Sequence, residues 1–342
     1  MKKWQQISLS IFTLATAMNS QAEQPSTQLF GYSEGATVLK VEKTQTRIDP
    51  ISDIIYSQIN GPMGHRNLKM SLLVPNSKQL KPAIVYLPGG GFMGANHDKY
   101  IQMRMALANA DFVVASIEYR VVPDMFPAPV VDAKAAVRYL RAHAAEFGID
   151  PTRIAVLGDS AGGWLSQMVA LSDNEKAWEQ GDFLDQSSAV QAAVSIYGFW
   201  DLQNIGEGFP DDIQKVHQSP AVTEALLVNG PAFNTFAGAS ITSDPQKALN
   251  ASPKGHIKGK KPPFLIIHGS SDTLVSPLQS KHLYDTLKAE GNQADYVLIE
   301  GAGHGTQEFY QPVVINKVVD WFKQHLGSPV DNPQAKTVGS DL

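Results

Sequence analysis

The stretch Ile154-Ala155-Val156-Leu157-Gly158-Asp159-Ser160-Ala161-Gly162-Gly163-Trp164 decides how the rest of the chain is read. A short β-forming apolar run ends at a glycine, a serine follows between small residues, and a helix-compatible segment, Trp164 to Leu171, begins at once. Strand, tight turn and helix form the setting in which a G-x-S-x-G nucleophile elbow operates. The serine of such an elbow sits at the tip of a strained turn, where neighbouring side chains would strike the strand or the helix. Glycines at 158 and 162 and alanine at 161 remove those collisions. A chain of this length holds about 0.1 such matches by chance, given ordinary glycine and serine usage. The spacing therefore needs support from the rest of the sequence.

Upstream, Ala83-Ile84-Val85-Tyr86-Leu87 is a fully apolar strand that runs into Pro88-Gly89-Gly90-Gly91-Phe92. Tyr100 to Ala110 reads as a helix and Phe112 to Ile117 as a strand. Val130 to Phe147 reads as a helix, with Ala133, Val137, Leu140 and Ala144 at helical spacing and Gly148 ending it. Downstream, strands are expected at Val190 to Tyr197, Phe264 to Ile267 and Tyr296 to Ile299, with helices at Pro277 to Ala289 and Gln311 to Leu326. Ile51 to Ile59 and Leu68 to Val74 suggest an antiparallel pair at one sheet edge. Strands alternating with helices imply right-handed crossovers and an α/β fold with a mostly parallel sheet covered on both faces.

Three segments stand outside this rhythm. Phe199 to Lys261 is long, loop-rich and broken by prolines and glycines, so residues 199–261 are expected to form a cap-like insertion. Residues 1–22 combine Lys2 and Lys3, an apolar run from Ile7 to Met18 and small residues at Ser20-Gln21-Ala22, the pattern of a signal peptide cleaved after Ala22. The main domain is then expected over 23–327, its first residues, Glu23 to about Lys43, an extended lead-in, with 328–342 a disordered tail. Such a chain is expected in the periplasm or the medium, with no stable membrane anchor. The absence of cysteine excludes both a disulfide framework and a lipidated-cysteine anchor. A net charge of −5, with 43% hydrophobic and 18% charged residues, describes a globular chain without a basic footprint for nucleic acid. Oligomeric state is left open.

A serine hydroxyl is a poor nucleophile near neutral pH and needs a base, an acid to orient that base, and donors for the oxyanion that forms. In sheets of this kind ligands bind beyond the carboxyl ends of the strands, so the partners are sought just after strands. His304, in Gly301-Ala302-Gly303-His304-Gly305, has that position and is read as the base. His268, at a strand end before Gly269, is the nearest competitor and is read as packing or turn support. Asp272, in Ser270-Ser271-Asp272-Thr273, is read as the acid, against the ordinary alternative of a turn or helix cap. Oxyanion donors are expected from the backbone N–H groups of Gly90, Gly91 and Ala161. No H-E-x-x-H or similar metal pattern occurs, so no metal and no cofactor are expected. Gly89-x-Gly91-x-x-Gly94 also matches a dinucleotide fingerprint, but the helix should open within the glycines, and polar Asn96-His97-Asp98 intervenes.

The order Ser160, Asp272, His304 is that of the α/β-hydrolases. Together with Tyr119-Arg120-Val121-Val122-Pro123-Asp124-Met125-Phe126-Pro127, Gly148-Ile149-Asp150-Pro151-x-Arg153 and Tyr197-Gly198-x-x-Asp201, these residues resemble the hormone-sensitive-lipase-like carboxylesterases and the bacterial feruloyl and acetyl-xylan esterase group. The resemblance covers roughly Ala83 to Leu326. It departs at Pro88, where the family usually has histidine before its glycines, so Pro88 is expected to hold the loop by fixing φ. The resemblance implies a serine hydrolase of small carboxylic esters, working through an acyl-enzyme, with acetyl or feruloyl esters of plant polysaccharide among the candidate substrates. Phe92, Met93, Trp164, Phe199 and Trp200 are expected pocket walls. A serine peptidase of the prolyl-oligopeptidase type is one alternative, though the chain leaves no room for that group's propeller. A catalytically silent binding protein on the same fold is another.

Overall fold

The computed structural model describes residues 29–61, 64–173 and 175–333; the expected signal peptide lies outside them. The chain divides into two units, residues 1–44 and 45–342. Of the first unit, the described residues from 29 onward are exposed and carry only turns, such as Tyr32 N–H to the Leu29 carbonyl.

The second unit is built on one eight-stranded sheet. Its strands are β1 (Ile48–Gly61), β2 (Gly64–Pro75), β3 (Lys81–Leu87), β4 (Val113–Ile117), β5 (Ile149–Asp159), β6 (Ala193–Ile196), β7 (Phe264–Gly269) and β8 (Ala294–Ile299). They lie in the order β1-β2-β4-β3-β5-β6-β7-β8, with β1–β2 and β2–β4 antiparallel and every other pair parallel. The expected edge pair is present but longer than the hydrophobic pattern indicates. It is also irregular, with register shifts between Ile51 and Ile54 and between Ile55 and Ser57.

Central strands buried on both faces read as unbroken apolar runs, which is why β3 and β7 have no exposed residue. Alternation still sorts their side chains. Ala83, Val85 and Leu87 join the core beneath α2 (Ala128–Ala142), the short α3 (Ala144–Phe147), α4 (Ala161–Leu171) and α8 (Pro277–Ala289). Ile84 and Tyr86 join the opposite core beneath α1 (Ile101–Asn109) and α9 (Pro312–Leu326). The helix expected over 130–147 is divided at His143 into α2 and α3.

Two features place the site. The chain leaves β3 toward β4 on one side, while β5 leads to β6, β7 and β8 on the other. Loops after β3 and β5 therefore diverge and open a crevice at the carboxyl ends of those strands. The insertion, in turn, has no helix longer than seven residues: α5 (Asp211–His217), α6 (Thr223–Asn229) and α7 (Pro245–Asn250). At the C-terminal end, Val330 pairs with Leu80 and Arg153 reaches the carbonyls of Leu326 and Ser328. The start of the expected tail is thus bonded to the domain, because its backbone finds partners there; 334–342 lie outside the described residues.

Candidate active site

The elbow forms at the end of β5. Ser160 has φ 55° and ψ −121°, held by its N–H on the Ile196 carbonyl and its own carbonyl on the Trp164 N–H, both at 2.9 Å. A side chain cannot be added at either flanking glycine. A Cβ at 158 would lie 2.0 Å from the Gly162 carbonyl oxygen, and one at 162 would lie 1.9 Å from that of Leu87. The torsional cost at Ser160 is sustained because its surroundings leave the backbone no other path. The hydroxyl stands at the N-terminus of α4, where the helix dipole favours developing negative charge.

Loops from two other strands bring their groups to this hydroxyl. Ser160 Oγ lies 2.8 Å from His304 Nε2, and His304 Nδ1 lies 2.7 Å from Asp272 Oδ2. The residues of this chain of contacts are 144 and 32 positions apart in sequence. Asp272 Oδ1 accepts the N–H groups of Leu274 and Val275, each at 2.9 Å. Burial pushes the Asp272 carboxyl up, but hydrogen bonds from His268 and His304, the His304 charge and the Val275 N–H outweigh it. The group is held well below the usual carboxylate range. An ionised Asp272 takes the Nδ1–H of His304, which leaves Nε2 as the lone-pair nitrogen facing the serine. The ring of Tyr197 packs against that imidazole, with centroids 4.7 Å apart.

The glycine loop after β3 lies beside the elbow. No protein acceptor takes the N–H groups of Gly90, Gly91 or Ala161 among the described residues, which leaves them available to a ligand oxygen. Turns occupy the residues between the glycines and α1, so the helix required for a dinucleotide site does not open there. The loop is held by polar bonds. Tyr119 donates its hydroxyl to the Pro88 carbonyl at 2.5 Å. Asp159, beside Ser160 and 1% exposed, accepts from the Gly89 N–H at 3.0 Å, the Tyr86 hydroxyl at 2.7 Å and Lys99 Nζ at 2.8 Å. Where the family uses histidine, this chain adds a lysine–aspartate latch to the proline. Sequence reasoning gave Asp159, Lys99, Tyr86 and Tyr119 no role; the only signal was a lysine in the polar stretch after the glycines.

The expected walls divide. Phe92 packs edge-on against Trp164 at 5.1 Å and beside Phe199 at 5.5 Å, and all three are buried. Trp164 is fully buried and donates Nε1–H to the Ala251 carbonyl, so it ties the insertion to α4 rather than facing a ligand. Met93 alone of the five is exposed. Trp200 is buried and borders a separate cavity of about 560 Å³ with Asp201, Asn204, Glu207, Lys254 and His282. None of the three catalytic candidates lines that cavity.

The sheet order and the elbow define an α/β-hydrolase fold. Within it, the BD-FAE family profile matches residues 70–287, more than half of the chain, and the chain belongs to that family. A probable carboxylic ester hydrolase, LipM of Mycobacterium tuberculosis, is 32% identical over 62% of this chain and 46% of its own length. The chain spans about half the length of the curated relatives it matches. A truncated carbohydrate esterase from gut microbiota superposes with a TM-score of 0.69 at 24% identity, covering 83% of this chain and 98% of that one. An acetyl ester-xyloside bifunctional hydrolase from Caldicellulosiruptor lactoaceticus superposes with a TM-score of 0.62 at 23% identity, covering 77% and 90%. At those identities the two structures speak to the fold.

Proposed function

We propose that the protein is a serine carboxylesterase that hydrolyses small esters, including acetyl or feruloyl groups on plant polysaccharide. The observation that carries the reading is the unbroken path from Ser160 Oγ through His304 to an ionised Asp272, at 2.8 and 2.7 Å. Relatives named as ester hydrolases support the reaction class. The resemblance of the glycine loop, the Tyr119–Pro127 segment and the elbow to feruloyl and acetyl-xylan esterases supports the substrate. The leader pattern over 1–22 supports export.

In this reading Ser160 Oγ attacks the ester carbonyl carbon as His304 Nε2 takes its proton. The carbonyl oxygen becomes an oxyanion facing the N–H groups of Gly90, Gly91 and Ala161. Collapse of the tetrahedral intermediate breaks the bond to the alcohol oxygen, which leaves with the proton from His304. Water then attacks the acyl-serine, gives a proton to the same nitrogen, and the second collapse returns that proton to Ser160 and frees the acid. Asp272 stays ionised throughout and keeps the imidazole in one tautomer. The test is a panel of p-nitrophenyl esters of increasing chain length, with methyl ferulate and acetylated xylan, on wild type and Ser160→Ala. Turnover by wild type alone is expected. No turnover of any ester, or equal turnover by the variant, overturns the reading.

A further inference from the structure

We infer that His268 is a positioning residue for Asp272, fixing both the carboxylate and the turn that supplies its backbone donors. The inference rests on the esterase reading of Ser160, Asp272 and His304. It starts from a buried imidazole that the mechanism above does not use. His268, near the end of β7, is fully buried, and all its polar neighbours belong to the segment from Asp272 to Ser280.

Its Nε2 lies 3.0 Å from the Val275 carbonyl oxygen and 3.2 Å from Asp272 Oδ2. Both are acceptors, so the proton belongs on Nε2. Its Nδ1 lies 2.6 Å from Ser280 Oγ, and Ser280 is 1% exposed. A neutral imidazole protonated at Nε2 accepts the serine hydroxyl at Nδ1, so the two ends agree on one tautomer. Two consequences follow. Val275, whose N–H bonds Asp272 Oδ1, is held at its carbonyl by His268, which clamps that donor from behind. Asp272 Oδ2, the atom that receives His304 Nδ1–H, also has the His268 N–H beside it. The carboxylate thus has donors on every side, and His304 has a single direction in which to lie.

Packing alone would be served by an apolar side chain without the cost of burying an imidazole. The titratable groups facing this pair are few. His268 comes from β7, and Tyr197 from the end of β6. Across the nucleophile lie Asp159 and its partner Lys99. Burial pushes the Tyr197 hydroxyl up, so it is neutral wherever the enzyme is folded and active. Of these, His268 is the side chain that places an N–H beside Asp272 Oδ2, the oxygen that also meets His304.

The experiment compares wild type with His268→Asn, whose shorter amide falls short of Val275 and Asp272, and with His268→Gln, whose amide N–H can stand where Nε2–H stood. The readouts are kcat and KM for p-nitrophenyl acetate across pH, thermal melting, and ¹⁵N NMR titration of the His304 imidazole. For His268→Asn, kcat should fall on the order of 10- to 100-fold, the range set by sub-ångström misplacement of a catalytic group, with KM unchanged. The acidic limb of kcat/KM and the His304 titration should both move to higher pH, because Oδ2 without that donor holds the His304 proton more tightly. His268→Gln should recover most of the rate and the wild-type limb. Ser280→Ala should move both readouts in the same direction by less, and it decides the matter if His268→Asn does not fold. A folded His268→Asn with the wild-type profile overturns the inference. So does a Gln variant no better than Asn, or, where Asn does not fold, a Ser280→Ala titration identical to wild type. If wild type cleaves no ester, the esterase reading falls separately, and the His304 titration still decides for or against His268.

Discussion

The loops at the carboxyl ends of β3, β5, β7 and β8 differ in kind from the insertion over 199–261. In the loops, a backbone or side-chain donor meets a buried acceptor at nearly every turn, as at Pro88, Gly89, Ser160 and Asp272. The insertion is anchored at its borders, through Trp200 and Asp201 N–H on Gln279 and through Trp164 on Ala251. Between those anchors, α6 buries Ala225, Leu227 and Val228, whereas α5 has no buried residue and Phe233 and Phe236 are exposed. The groups around Ser160 thus stand on a frame bonded throughout, while the insertion is uneven, part of it packed into the core and part of it exposed.

Several changes would break this comparison or sharpen it. Ser160→Ala should lower kcat on the order of 10⁴- to 10⁶-fold with the melting temperature little changed, measured on p-nitrophenyl acetate. Asp272→Asn should cost about 10⁴-fold, since the wrong tautomer of His304 then faces the serine. Asp272 is also held below the usual carboxylate range, burial being outweighed by its donors. Its contribution to stability is therefore in place above the unfolded carboxylate range and is lost only as pH falls through the lower folded value. The gap in melting temperature between wild type and Asp272→Asn should be constant from pH 6 to 8 and close only in strong acid. A gap that narrows already between pH 6 and 5 would contradict that sign.

The latch on the glycine loop should show an intermediate effect. Asp159→Asn removes the charge that Lys99 meets and loosens the loop that presents Gly90 and Gly91, so kcat should fall by about 10²-fold with KM nearly unchanged. Lys99→Met should do the same to a lesser degree. A KM effect without a kcat effect would place the latch in substrate binding instead. The smallest effects belong to the insertion. Phe233→Ala and Phe236→Ala should leave p-nitrophenyl acetate turnover within about a factor of two, as for exposed positions generally, while altering KM for methyl ferulate. Equal losses on both esters would erase the proposed division between frame and insertion.

Much of the frame was legible because it is local. Apolar runs, the turn chemistry at Gly158 and Gly162, and the placement of Asp272 and His304 just after strands can all be read within a dozen residues. The sheet order could not be, because nothing near β4 states that it lies between β2 and β3. The full length of β1 was missed because its outer residues are exposed and its pairing is set by β2. The place of Trp164 was not legible for a related reason: its burial depends on Ala251, 87 residues away. His268 reads as packing or turn support, and its bond to the Val275 carbonyl fits the turn support; its closeness to Asp272 is not legible, since it depends on how the turn after β7 folds back.

The bulged course of β1 bears on how the molecule behaves in concentrated solution. A fourteen-residue outer strand is a template on which a neighbouring copy could zip. The two register shifts bend and twist that strand, and Asp49 and Asp53 place charges on it, paired with Arg47 just before it and Lys69 on β2, features that disfavour a neighbouring copy adding to this edge.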